Sequence, residues 1–159
     1  IKTLRGNVNT RLAKLDAGDY DAVILAAAGL KRLGLEARIT ELLDIETFIP
    51  ACGQGLLAVE FKSNHKTLTP IFEAFLDPDA ELDFVVESAF LKTLDGGCQT
   101  PMAAHVYHPI RSIPEVFGFL ASSDCSKSVR AGDCVTPTLA EATGKSLARK
   151  LKAMLAELG

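Results

Sequence analysis

The stretch from Asp77 to Leu94 leaves this chain the least freedom. Asp77-Pro78 pairs a residue suited to a helix N-cap with a proline suited to the first helical turn. Leu82, Val85, Val86, Ala89, Phe90 and Leu94 then recur at helical spacing. One face of a long helix over 78–94 must therefore find apolar cover. Gly96 or Gly97 ends that helix. The residues that follow supply the cover. Ala103–Tyr107, Val116–Ser122 and Lys127–Ala131 read as strands, the last two joined through "SDCS" as a hairpin. Thr138 and Glu141 are spaced as a capping box. Leu139, Leu147, Leu151, Met154, Leu155 and Leu158 then carry a second amphipathic helix. Helix, three strands, helix is a small α+β domain: a three-stranded antiparallel sheet with helices on one face.

The N-terminal part has a different texture. Asn9 is placed to cap a helix over Thr10–Asp16, and Gly18 to close it. Ala22–Ala27 is a short apolar run with β-branched members, the pattern of a strand covered on both faces. Leu30–Leu33 reads as a short helix stopped at Gly34. Strand into helix is half of an α/β unit, and ligands of open α/β sheets sit at the carboxyl ends of such strands. "FIPACGQGLLAVEF" reads as a glycine-rich crossover leading into a strand over Leu56–Phe61. The polar stretch Ser63–Thr69 marks a domain boundary, after which Thr69-Pro70 forms another N-cap pair.

Composition narrows the function classes. With 159 residues, 48% of them hydrophobic, the chain can build one core or two small ones. A net charge of −3 gives no electrostatic case for nucleic acid. No apolar run approaches the roughly 20 residues that a helical membrane span requires. The sequence begins without Met and enters patterned sequence almost at once, as a fragment or processed piece would. Of the four cysteines, no two are spaced C-x-x-C, which argues against a zinc knuckle. Cys125 and Cys134 could pair across a hairpin, although such a count fits reduced intracellular thiols better.

Two groups of residues could carry chemistry. In "LDGGCQTP", Cys98 follows a helix stop, the glycines allow close approach, and Pro101 stiffens the exit. Such a thiol is either a nucleophile or attachment point, or a small half-buried side chain after a helix cap. Arg5, Arg11 and Arg32 lie near helix starts or a strand end. They form either an anion site, since guanidinium forks match carboxylates, or three solvated arginines. The glycines of "CGQG" complete neither a dinucleotide nor a phosphate-loop fingerprint. His105 and His108 on a strand face opposite sides, against a metal pair. Asp16, Asp19 and Asp21 read as a solvated acidic edge.

"RGNVNTRLAKLDAGDYDAVILAAAGLKRLGL", "IPACGQGLLAVE" and "FLKTLDGGCQTPMAAH" occur in that order along the chain. Together they resemble the porphobilinogen deaminase (hydroxymethylbilane synthase) family over essentially the whole length. The resemblance implies a thioether from Cys98 to a dipyrromethane, a two-pyrrole cofactor made from the enzyme's own substrate. That cofactor primes the addition of four porphobilinogen units, each losing ammonia, and the product is released as hydroxymethylbilane. Arg5, Arg11 and Arg32 match family arginines that pair with the acetate and propionate groups of cofactor and growing chain. Ala26 and Gly29 match positions where the backbone approaches the cofactor, and Gln54 a substrate contact. No metal is implied. The family's catalytic aspartate lies in an N-terminal part that this chain lacks, so no catalytic residue is assigned here.

The implied architecture has residues 1–49 as the second half of a partial, periplasmic-binding-protein-like α/β domain. Residues 50–66 are the crossover and a strand belonging to the preceding domain, and residues 67–159 are the α+β domain with the cofactor cysteine. The implied partners are porphobilinogen, polypyrrole intermediates and the missing N-terminal half. The implied setting is a monomeric full-length enzyme in the cytoplasm, with the plastid stroma as the alternative. Alone, the chain is expected to be inactive. Without the resemblance, the residues favour a non-catalytic carboxylate-binding α/β module; a different thiol-dependent enzyme would need a base near Cys98.

Overall fold

A computed structural model describes residues 1–63, 65–95, 101–109 and 112–159. The chain folds as two compact units, Ile1–Leu43 and Asp44–Gly159. The turn at 51–55 belongs to the second unit and packs on its core through Cys52.

The second unit is built as its periodicity requires. Helix α4 spans Pro78–Leu94, and Asp77 caps it by accepting the Asp79 and Ala80 N–H groups. The helix stops on Asp95, which takes a left-handed conformation (φ 51°) that aspartate tolerates better than most residues. The expected stops Gly96 and Gly97, together with Cys98, lie outside the described residues. Strands β1 (Met102–Tyr107), β2 (Glu115–Ala121) and β3 (Ser128–Cys134) form an antiparallel sheet in that spatial order. Helix α5 (Ala140–Glu157) packs on the same face as α4.

Val86 and Phe90 from α4, Ala104, Val106, Val116 and Leu120 from the sheet, and Leu147 and Leu151 from α5 make the core. Two glycines set its spacing. A Cβ at Gly144 would run into the Val86 carbonyl oxygen and lie 3.1 Å from Ala89 Cβ, so α4 and α5 touch backbone to backbone there. A Cβ at Gly118 would lie 2.9 Å from Leu147 and Leu151. The capping box at Thr138 is not formed. Pro137–Leu139 is a 3-10 turn running straight into α5, so Thr138 lies inside helical geometry, and Glu141 pairs with Lys145 at 2.6 Å. Leu139 and Leu158, expected on the apolar stripe, are exposed at its two ends.

Before α4 lies α3, Leu68–Glu73. Its first turn is held by His65, whose Nδ1 accepts the Leu68 N–H and whose carbonyl accepts the Thr69 N–H, so Thr69 is not the cap.

The first unit has little core of its own; its buried apolar side chains are Leu12 and Leu30. Helix α1 covers Val8–Asp16 and is capped by Asn7, not Asn9: Asn7 Oδ1 accepts the Thr10 N–H at 2.9 Å. Gly18, at φ 78°, closes it as expected. Helix α2 covers Ala27–Arg32 and ends through Gly34 at φ 70°. The strand expected over Ala22–Ala27 is not formed; its residues run extended into α2. A strand exists by virtue of ladder hydrogen bonds, and the described residues of this unit include no strand to pair with. The strand expected over Leu56–Phe61 is not formed either; these residues join none of the three strands of the second unit's sheet. The α+β half of the expected fold is therefore present, and among the described residues no parallel strands pair.

Candidate functional site

In the first unit a cationic corner forms around one turn. Gly6 sits at φ 123°, where an added Cβ would lie 2.9 Å from the Thr10 side chain, so the turn needs glycine. Arg11 Nε donates to the Gly6 carbonyl at 2.8 Å, and Lys14 Nζ approaches the Arg5 carbonyl at 3.4 Å. Arg5 and Arg11 are thus gathered at the start of α1, with Lys14 a turn behind. Lys14 was not among the expected residues; its spacing of three from Arg11 on the helix is the signal that could have found it. Arg32 ends α2 and is exposed.

Among the described residues, none of Arg5, Arg11 or Arg32 has a carboxylate within ion-pair distance. Arg38, in contrast, is neutralised by Asp16 at 2.5 Å, so that part of the expected acidic edge is spent internally. Ala26 precedes α2 with an exposed, extended backbone. At Gly29 an added Cβ would meet only Val8, at an ordinary 3.9 Å, so the chain's own packing does not require glycine there. Arg5 and Arg11 at the α1 turn and Arg32 at the end of α2 leave guanidinium groups open to carboxylates. This is the chemistry a dipyrromethane presents, and the residues fit it.

In the second unit, Gln54 is exposed on a turn in which its N–H donates to the Ala51 carbonyl at 3.0 Å and Gly53 takes φ 75°. Cys98 lies outside the described residues; its flanks are the end of α4 and the start of β1. The three remaining cysteines are free. Cys125 sits in the β2–β3 turn and Cys134 at the far end of β3, so a bond between them would have to span the strand. The Cys52 thiol is pushed up to about 11, first by burial and then by the negative charge of Glu87. It is the opposite of an activated nucleophile.

Sequence reasoning missed Glu87, which is only 3% exposed. Its Oε2 accepts the Gly53 N–H at 2.6 Å and its Oε1 accepts the Val106 N–H at 3.2 Å. A glutamate between Val86 and Phe90, on the apolar side of a helix, was the available signal. The two histidines also depart from expectation. His108 lies past the end of β1, so strand alternation does not govern it, and both rings reach carboxylates of α4: His105 Nδ1 at 3.4 Å from Glu87, His108 Nε2 at 2.6 Å from Asp83. Burial raises the Asp83 carboxyl above its ordinary range, more than the hydrogen bond with His108 lowers it.

Two family models match the chain, and they divide it between 70 and 82, C-terminal to the Leu43–Asp44 division of the compact units. Residues 1–70 match the model of the porphobilinogen deaminase dipyromethane cofactor binding domain, and residues 82–153 match that of the porphobilinogen deaminase C-terminal domain. The chain belongs to the porphobilinogen deaminase family. It is 46% identical to porphobilinogen deaminase of Thiobacillus denitrificans over 157 residues, covering 96% of this chain and 50% of that protein. The protein of the same name from Prochlorococcus marinus strain AS9601 is 42% identical, over 99% of this chain and 49% of the relative. That from Syntrophobacter fumaroxidans is 38% identical, over 95% and 48%. The chain thus spans about half the length of the curated relatives it matches. Within this chain, the cationic corner falls in the segment matched to the cofactor-binding model, and most of α4 through most of α5 falls in the C-terminal one. Among the described residues, no helix is long and apolar enough to cross a membrane.

Proposed function

We propose that this chain is the C-terminal portion of a porphobilinogen deaminase, a transferase that joins porphobilinogen units into hydroxymethylbilane with loss of ammonia. The observation that carries this reading is the set of uncompensated arginines, Arg5, Arg11 and Arg32, within the segment that matches a dipyromethane-binding model. Each pyrrole unit adds carboxylates, so a growing chain needs fixed cations that no internal acid neutralises. Arg5 and Arg11 hold carboxylates at the α1 turn, Arg32 holds one at the end of α2, and Ala26 and Gly29 leave backbone room beside them. Gln54 contacts substrate. Cys98 supplies the sulfur of the thioether anchor. When bound, the dipyrromethane supplies the pyrrole terminus to which new units are joined.

Residues 1–49 are, on this reading, the second half of an α/β domain, and 50–66 return to the domain that precedes it. The support is the apolar run of 56–61, left without a ladder: Leu57 is 85% exposed and Val59 60%. The N-terminal half supplies their pairing partners and the catalytic aspartate, and the whole protein works as a cytoplasmic monomer.

Two measurements test this. Chain produced together with the N-terminal half of a relative should consume porphobilinogen, and chain alone should not; consumption by the chain alone would overturn the assignment of the acid to the other half. Intact mass of the assembled protein should exceed the sequence by two linked pyrroles. An adduct retained in Cys98→Ser would remove the anchor assignment.

A further inference from the structure

The buried carboxylate of Glu87 has no role in the reaction just proposed, yet its surroundings are specific. Among the described residues, strand β1 is an edge strand, paired with β2 alone. Its alternate N–H groups, at Ala104 and Val106, point away from β2 and would be left open. The turn at 51–55 covers them. The Val106 N–H meets Glu87 Oε1, the second oxygen of the same carboxylate takes the Gly53 N–H, and the Cys52 thiol lies toward the Ala104 backbone. Glu87 therefore bridges two backbone donors from segments far apart in sequence.

The chemistry at this point requires a carboxylate. Both partners are donors, so both terminal atoms at position 87 must accept. Glutamine would satisfy one N–H and set its own amide NH2 against the other. Aspartate is one methylene too short to reach both. An apolar residue would leave two buried donors unmatched.

We infer that Glu87 is a positioning residue for Gln54: its carboxylate fastens the turn at 51–55 to the open edge of β1. Gln54 follows directly on the tethered Gly53, and α4 and β1 are the elements between which the Cys98 segment runs. The tether holds the substrate-contacting turn in fixed register with the two anchors of the cofactor segment. The role given to Gln54 rests on the proposed function; the tether itself does not.

The first test uses this chain as it is. In Glu87→Gln, amide exchange at Gly53 or Val106 should accelerate on the order of tenfold or more, while the β2–β3 ladder keeps its protection. In the unaltered chain, alkylation of Cys52 should lag well behind that of exposed Cys125 and Cys134 at neutral pH. Unchanged exchange in the variant, or Cys52 reacting as fast as Cys125, would overturn the tether. The second test uses the protein assembled with its N-terminal half. Gln54→Ala should raise the KM for porphobilinogen about fivefold, Glu87→Gln should raise it comparably, and the double variant should add little beyond Gln54→Ala. Additive losses would show that Glu87 does not act through Gln54, and so would a Glu87→Gln effect on kcat alone. Should the assembled protein consume no porphobilinogen at all, the functional reading fails, while the exchange and alkylation results still decide the tether.

Discussion

The two units of this chain are made from similarly apolar sequence and end very differently. Asp44–Gly159 closes a core in which Val86, Phe90, Val116, Val135, Leu147 and Leu151 are fully or almost fully buried. Ile1–Leu43 buries Leu12 and Leu30 and leaves Ile24, Leu33, Leu42 and Leu43 exposed. The second unit contains both layers of its fold, a sheet and the helices that cover it. The first contains helices and an extended run that has no ladder. Apolar content alone does not make a core; it has to arrive with a surface to meet.

Deleting the centre of the closed core should break the contrast most strongly. Phe90→Ala should destabilise the second unit by about 3–5 kcal/mol, since a fully buried aromatic leaves a cavity that the sheet cannot fill. Denaturant unfolding should show a lower midpoint, and amide protection in α1 should be unaffected. Protection lost in both units together would mean that they unfold as one.

A smaller change probes the open unit. Asn7→Ala removes the acceptor of both the Thr10 N–H and the Thr10 hydroxyl. It should cost α1 about 1 kcal/mol. The readout is exchange at Thr10 and helicity of the first unit, with the midpoint of the second unit unmoved.

A pH slope should be confined to the second unit. The Cys52 thiol is raised from 9.0 to about 11 in the folded chain. Between those values the unfolded chain has lost a proton that the folded chain still holds. Stability should therefore be fully present below pH 9 and decline as pH rises toward about 11. Cys52→Ala should remove that part of the slope and leave the first unit unchanged; identical slopes in both proteins would refute the shift. Glu87→Gln should flatten it partially, because the Glu87 charge is the second cause.

Where periodicity was long and its partner lay nearby, the fold was legible. Helix α4 has the bounds that Asp77-Pro78 and the apolar stripe require, and the three strands fall within a residue or three of their expected ends. Local cap chemistry was less decisive. Asn7 and Asn9 offer the same side chain two residues apart, and the turn at Gly6 selects the first. Thr138 has the right neighbour at Glu141, but Pro137 starts a helical turn before it. The arginines could be found as residue types; that Arg38 is neutralised while, among the described residues, Arg5, Arg11 and Arg32 are not depends on which side chains the folding brings within reach.

By itself the sequence determined the elements of the C-terminal unit, its helix–sheet–helix order and, through three motifs in register, its family. These are properties of spacing along the chain, and spacing dictates which face of each element is apolar. Tertiary structure alone decided the rest. It withheld the strand at 22–27, because a ladder needs a partner, and left 56–61 outside the sheet of its own unit. It brought α4 and α5 together at Gly144, where only a missing Cβ permits such an approach. It also turned Glu87 from one more helix-forming residue into a buried bridge between Gly53 and Val106, since two open N–H groups from distant segments converge on it.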